Sequence, residues 1–565
     1  MGMLAAASIG CVIPANADPG KPPLTAQTAK SGGAIDRDQA KLSFDTADLT
    51  FDIDPVTEKI SGVAILGFTA KAPIQKLVID LDRNLPVSAI AIDGNPLPAS
   101  AWSNPQGQLT IRLPGRVAKG DSVTARISYG GTPHVAERAP WDGGFVWART
   151  PSGAPWVATA VQGYGCDPFW PCIDHPTAEP AKVDIRITVP KGLKAISNGR
   201  LIGTQTLPDG RSTWHWRAAD LTNYGLALNV APYEVIRETY RSRFGNSFPM
   251  EYWYLPENAA KARGLFAEFA PTIDFFEANV GPYPFAGEKM GVVETPHLGM
   301  EHQTVNAYGN NYKKAMEGFD WLFHHEFTHE WFANQLTAAD WDDFWLHEGF
   351  GQYMQPLYGR WREGEARYAV LMDASRGKIT NAKPLISGKP KASEEVYQDG
   401  VGPGGDIYYK GAWMLHTLRN LIGDKAFNES MTRLVYGRPD PKPGNFAPRL
   451  GSSTEYRAIV KQVTGTDYDW FFDVYLDEAA LPELVETRTG NQLSLAWKTP
   501  RNKPFPLPVD VQVDGQTQRL AMTGGRDMLT VPEGAHVVVD PWSRILRRSK
   551  AVDEYQAWQK AQAGG

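Results

Sequence analysis

The stretch Phe323-His324-His325-Glu326-Phe327-Thr328-His329 places two histidines, His325 and His329, four positions apart with a glutamate between them. Phe319, Phe323, Phe327 and Trp331 recur every four residues around it, which predicts a helix with one aromatic face. On such a helix His325 and His329 lie one turn apart on the same side, so both imidazoles can reach one ion. Neutral imidazole is a common zinc ligand, and a catalytic zinc takes three protein ligands while keeping a position open for water. The third ligand must come from elsewhere. After eighteen intervening residues stands Glu348, within Trp345-Leu346-His347-Glu348-Gly349-Phe350, a gap that suits a turn and a second helix alongside the first. Glu348 then completes a two-histidine, one-glutamate set, and its apolar neighbours argue against an ordinary solvated carboxylate. Glu326 would reach the water without ligating the metal, take its proton and deliver it to a leaving amine. This makes the reaction a hydrolysis and leaves open whether chains are cut internally or at an end. His324 is rotated by about 100° from His325 and is expected behind the ligands or at the surface.

Leu298-Gly299-Met300-Glu301-His302 bears on that choice. With it the chain resembles the aminopeptidase-N family of gluzincin zinc metallopeptidases, which includes the leukotriene-hydrolysing members. Their signature is His-Glu-x-x-His, eighteen residues and Glu, preceded by Gly-x-Met-Glu-Asn. The resemblance implies one Zn²⁺ per chain on His325, His329 and Glu348, with Glu326 as general base. It also implies that Glu301 receives the free α-amine of a peptide substrate, within a substrate-binding segment of Leu298, Gly299, Met300, Glu301 and His302. An acidic acceptor at a fixed distance from zinc requires a protonated N-terminus, which turns a general peptidase into an aminopeptidase.

Two further motifs extend the resemblance. Ala160-Val161-Gln162, followed by Pro171-Cys172-Ile173-Asp174-His175-Pro176, is similar to the family's loop reaching in from the β domain, which gives Gln162 a share in holding the amine. Ile407-Tyr408-Tyr409-Lys410-Gly411 resembles Tyr-x-Lys-Gly, and Tyr408 follows Glu348 by 60 residues. Tyr408 is thereby expected to donate to the oxyanion of the tetrahedral intermediate, worth a few kcal/mol, with Tyr409 as the packing alternative. Leu298 replaces the family's first Gly, His302 its Asn, and His347 the Asn usual before the third ligand, so the amine pocket is expected to differ in detail. The implied activity is release of N-terminal residues from peptides. Epoxide hydrolysis on the same zinc is an alternative, as is non-catalytic peptide binding, which the intact ligands, Glu326 and Tyr408 disfavour.

These residues need a scaffold, and the patterning divides it. Leu49, Phe51 and Ile53 alternate with Thr50, Asp52 and Asp54, and short strands with turn signals continue to about Tyr240. From Asn258 helical spacing takes over, with Leu265, Phe266, Phe269, Ile273 and Phe276 on one stripe. Alternation returns at Leu493, Leu495 and Trp497 and again at Val509, Val511 and Val513. The expected fold is multi-domain α+β: an N-terminal β-sandwich-like domain (36–240), a thermolysin-like, mainly helical zinc domain (241–478), a small C-terminal β domain (480–547) and a tail helix (548–565). The large helical C-terminal domain of many relatives has no counterpart in this pattern, so a short form with an open cleft is expected.

At 565 residues the chain is several times a domain of roughly 150 residues, and a 42% hydrophobic share excludes a mostly disordered polymer. A net charge of −6 gives no basic field for nucleic acid. No run of eighteen apolar residues offers a transmembrane segment. Leu4 to Ile13 is an apolar run followed by the small-x-small Ala15-Asn16-Ala17, which reads as a signal peptide over 1–17 and a secreted or periplasmic protein, although a basic n-region is missing. Cys11 as a lipoprotein cysteine is the minority reading, since Ser8 stands where Leu is usual. Residues 18–38 read as a flexible lead-in. Cys166 and Cys172 are either a disulfide or two packed thiols.

Overall fold

Leu49, Phe51 and Ile53 are buried while Thr50 and Asp52 are half-buried, so the alternation in Leu42–Asp54 sets one face of that strand against the core. The computed structural model describes residues 24–313, 316–444 and 446–563. Leu42–Asp54 pairs antiparallel with Lys59–Ala70 and parallel with Lys182–Val189 inside an eight-stranded sheet. A four-stranded sheet contains Pro155–Ala160, the strand that feeds directly into Gln162. Cys166 and Cys172, left open by the sequence, are joined in a disulfide in the loop that follows.

Two expectations are corrected here. Residues 24–38 are not a flexible lead-in: Thr25 and Thr28 are buried, and the Thr28 hydroxyl donates to Asp167 at 2.7 Å and to Asp82 at 3.1 Å. Apolar periodicity was the wrong signal for a segment held by buried hydroxyl–carboxylate bonds. The apolar leader over 1–17 lies outside the described residues. The boundary near 240 also moves, because Glu234–Arg241 pairs with Ser247–Tyr254 in the five-stranded sheet of the next unit.

That sheet continues through Met290–Glu294 and Asn306–Tyr308 to an edge strand, Gly299–Met300. These strands of two to five residues were hidden in a segment read as helical; they are too short for a period of two to register. The helix Trp321–Thr328 packs on this sheet, Trp345–Glu363 packs on that helix, and Asp406–Ile422 on Trp345–Glu363, with the short helix Ser393–Tyr397 nearby in the same unit. Two three-stranded sheets, one containing Glu483–Thr489 and the other Val509–Val513, form the C-terminal unit, and Lys550–Ala563 is helical. Lys410 ties this unit's approach to the helices, its Nζ donating to the carbonyls of Glu478 and Ala479 at 2.6 and 2.9 Å. Among the described residues no helix is long and apolar enough to cross a membrane.

Candidate active site

Asp320 starts the histidine helix by accepting from the Phe323 amide at 3.0 Å. Its aromatic side is buried: Phe323 stacks on Phe269 at 4.6 Å and Trp331 on Phe276 at 4.5 Å. The opposite side, with His325, Glu326 and His329, is therefore turned toward the Glu348 helix. Beyond His329 the backbone leaves helical geometry at Phe332 and Ala333, which brings the Phe332 carbonyl to 3.0 Å from His329 Nδ1. Nδ1–H donates there and Nε2 is turned to the cleft. His325 Nδ1 lies 3.4 Å from Gln355 Nε2 on the Glu348 helix. The bare Gly351 leaves room for both rings, since a Cβ on it would lie 3.0 Å from His329 Cε1 and 3.1 Å from His325 Cε1.

His325 Nε2 and His329 Nε2 are 3.3 Å apart, and Glu348 Oε2 lies 3.4 Å from the first and 3.5 Å from the second. A tetrahedral ion with ligand distances of about 2.0–2.2 Å separates its ligands by roughly 3.3–3.5 Å, so this triangle fits zinc. Glu348 Oε2 is buried and accepts no hydrogen bond, as a lone pair kept for a metal would be. A second group, Glu301, Glu326 and His329, has donor atoms within 4.8 Å of one another and shares His329. The first set is the better cage, because it combines two imidazoles with the tighter, regular spacing.

The charges point the same way. Glu301, Glu326 and Glu348 are all buried. Burial pushes Glu326 and Glu301 above the ordinary carboxylate range, with His329 working against it and the neighbouring carboxylates adding to it. For Glu348 burial also acts upward, but His329 and His325 outweigh it and hold the group low. Burial alone would lower His329; Glu348, then Glu301 and Glu326, overcome it and push the imidazole to about 10. Three carboxylates around two imidazoles make a pocket whose deficit a divalent metal and one ammonium group would balance.

Glu326 owes its place to a missing side chain. A Cβ on Gly299 would lie 2.3 Å from Glu326 Oε1, so a side chain on this edge strand would press the carboxylate out of its present position. Next to Gly299, Met300 is buried in the core and Leu298 is half-buried. Glu301 Oε1 is reached by Gln162 Nε2 at 3.4 Å, and the same Gln162 nitrogen lies 3.4 Å from Glu348 Oε1. Tyr224 adds its hydroxyl to Glu301 at 3.4 Å, a residue that no motif marked. His302 is fully buried, and burial lowers it to about 3, so it is a neutral packing residue beneath the segment. His347 is likewise neutral, lowered by burial to about 3, with Nε2 accepting from the Ala338 amide at 2.8 Å.

Tyr408 has its ring centroid 6.1 Å from that of His325, and its hydroxyl is 2.9 Å from that of Tyr397. Tyr409 instead lies under Lys378, whose Nζ is 4.9 Å from its ring. Tyr397 was not legible in the sequence, as nothing in its position relative to Tyr408 has a periodic or motif signature. The Tyr408 and Glu348 helices cross at glycines: a Cβ on Gly411 would lie 3.0 Å from Gly349 Cα, and one on Gly349 would lie 3.2 Å from Gly411 Cα. Of the two places the sequence left open for His324, the surface is excluded. The residue is fully buried, stacked 4.6 Å from Tyr358 and lowered well below the usual imidazole range by burial. The aromatic side of the helix is wide enough to include it.

The peptidase M1 N-terminal domain matches residues 43–221 and the peptidase family M1 domain residues 289–437. Leucyl aminopeptidase of Saccharolobus solfataricus is 21% identical over 406 residues, covering 67% of this chain and 49% of its own. Aminopeptidase N of Homo sapiens is 24% identical over 316 residues, covering 50% of this chain and 31% of its own. The chain thus spans about half or less of the length of these curated relatives. The crystal structure of an M1 zinc metallopeptidase from Deinococcus radiodurans superposes with a TM-score of 0.64 at 23% identity, over 79% of this chain and 96% of that one. With both halves of the scaffold matched over more than half of its length, the chain belongs to the peptidase M1, or aminopeptidase N, family.

Proposed function

We propose that this protein is a zinc-dependent aminopeptidase that holds one zinc ion on His325, His329 and Glu348 and releases N-terminal residues from peptides. The observation that carries the reading is the nearness of an amine acceptor to the metal set: donor atoms of Glu301, Glu326 and His329 lie within 4.8 Å of one another. In a peptide the α-nitrogen and the first carbonyl carbon are about 2.5 Å apart, so an ammonium on Glu301 brings only the first peptide bond to the metal. An internal bond would leave Glu301 without a cation.

When bound, zinc supplies Lewis acidity that activates water and polarises the scissile carbonyl. Glu326 accepts the proton released as water attacks and returns it to the departing amine. Tyr408, oriented by the Tyr397 hydroxyl, donates to the carbonyl oxygen as negative charge develops on it. Glu301 accepts from the substrate ammonium, and the Gln162 side chain between Glu301 and Glu348 contributes its carbonyl oxygen after an amide rotation.

N-acetylation of a substrate is expected to remove a charge-assisted contact of about 1.5–3 kcal/mol and to place a bulky group against Glu301. Measured across fluorogenic aminoacyl substrates, kcat/KM should therefore fall by at least roughly tenfold on acetylation. Efficient cleavage of the acetylated set would overturn the reading. Gly299→Ala should displace the Glu326 carboxylate and lower kcat on the order of a hundredfold, the scale of an ångström-sized misplacement. Zinc content should be unchanged in that variant, because Gly299 touches Glu326 and not the metal set. An unaltered kcat would show that Glu326 does not work from this position.

We further infer that the protein is exported to the periplasm or outside the cell. The small-x-small site before Asp18 supports this, as does the disulfide of Cys166 and Cys172, a bond that persists in oxidising compartments.

A further inference from the structure

The segment Thr25–Gly33 is far in sequence from every residue of the site, yet its contacts lead toward both amine acceptors. The Ser31 carbonyl accepts from the Ser393 amide at 2.9 Å, and the Ser393 hydroxyl donates to the Gln162 carbonyl at 3.1 Å. Gly32 is pressed against the Trp341 indole so closely that a Cβ on it would lie 1.8 Å from Nε1. The Trp341 ring meets Tyr224 edge-on at 5.4 Å, and Tyr224 donates to Glu301. Finally, the Gly32 amide and the Ser31 hydroxyl, each 3.2 Å from their acceptors, donate to the carbonyl and the carboxylate of Asp174, at the end of the disulfide-closed loop that begins just after Gln162.

Ser393 and Ser31 are buried, so neither bond exchanges freely with water. The far end of the segment is fixed as well, through Thr25 and Thr28 on Asp82 and Asp167. A strap anchored at one end in the β domain and bearing at the other on Ser393 and Trp341 sets where both Gln162 and Glu301 stand. We propose that Thr25–Gly33 is a working part of the amine-binding site, and that Ser393 is the positioning residue through which it holds Gln162. The proposal rests on the aminopeptidase reading above. It assigns the strap to recognition of the substrate's N-terminus and not to the proton transfers, since none of its contacts leads to Glu326, and it meets the metal set only through the Gln162 side chain beside Glu348.

The test uses the full chain loaded with zinc and an alanyl-aminocoumarin substrate, with its N-acetyl form as control. Wild-type preference for the free amine tests the aminopeptidase reading by itself; the variants test the strap. Ser393→Ala removes the bond to the Gln162 carbonyl while keeping the amide on Ser31, and Gly32→Ala drives the strap off Trp341. Each is expected to raise KM about tenfold with kcat within about twofold, the signature of lost ground-state binding. Inhibition by free alanine should weaken in proportion. A merely structural role would lower the melting temperature and the active fraction, reducing kcat at constant KM, and that result overturns the proposal. So does an unchanged KM in Ser393→Ala, which decides the matter alone if Gly32→Ala fails to fold.

Discussion

Glu326→Gln is expected to lower kcat by roughly two to four orders of magnitude, the range over which a positioned general base contributes. Glutamine has the same shape, so it fits beside Gly299 as the carboxylate does, but it cannot accept the proton of an attacking water. KM should change little, because Glu326 meets the reacting water and not the ground-state substrate. Zinc content measured by elemental analysis should stay at one ion per chain. The metal measurement separates two arrangements that the structure places side by side. If Glu326→Gln loses zinc, the ion belongs to Glu301, Glu326 and His329, and the assignment to His325, His329 and Glu348 fails.

Removing the metal should have the larger effect still. Dialysis against a strong chelator is expected to bring turnover to background, and one equivalent of Zn²⁺ to restore it, because no other group in the cleft polarises a carbonyl to the same degree. The melting temperature should fall in parallel. A ligand that binds only the folded state at a thousandfold excess over its Kd contributes about 4 kcal/mol. The buried carboxylates also lose the dication that offsets them. Full activity in protein shown to be metal-free would end the zinc reading.

How much of this was legible in advance depended on the kind of signal. His325 and His329 declare themselves because a helix turns their spacing of four into proximity, and Glu348 follows from the return of the chain. The β domain was legible because Leu49, Phe51 and Ile53 alternate over a strand long enough to count. Gly299–Met300 and Asn306–Tyr308 were not, because two or three residues carry no period, and their pairing is a tertiary fact. Tyr224 and Tyr397 escaped for another reason. Their roles come from hydroxyls meeting Glu301 and Tyr408 across the fold, and a tyrosine in sequence looks the same whether its oxygen faces water or a carboxylate. The strap was misread because Thr25 and Thr28 are polar residues whose burial depends on distant aspartates.

The crossing of the Glu348 and Tyr408 helices at Gly349 and Gly411 has a consequence for the spacing of the site. Each glycine faces the other's backbone without a side chain, so the helices that carry Glu348 and Tyr408 are spaced there by two hydrogen atoms. A side chain at either position asks the facing helix to give by a few tenths of an ångström, and a second at its partner adds to that shift instead of relieving it. The separation of Glu348 from Tyr408 is thus set at the backbones of the two helices and not by the loops around the cleft.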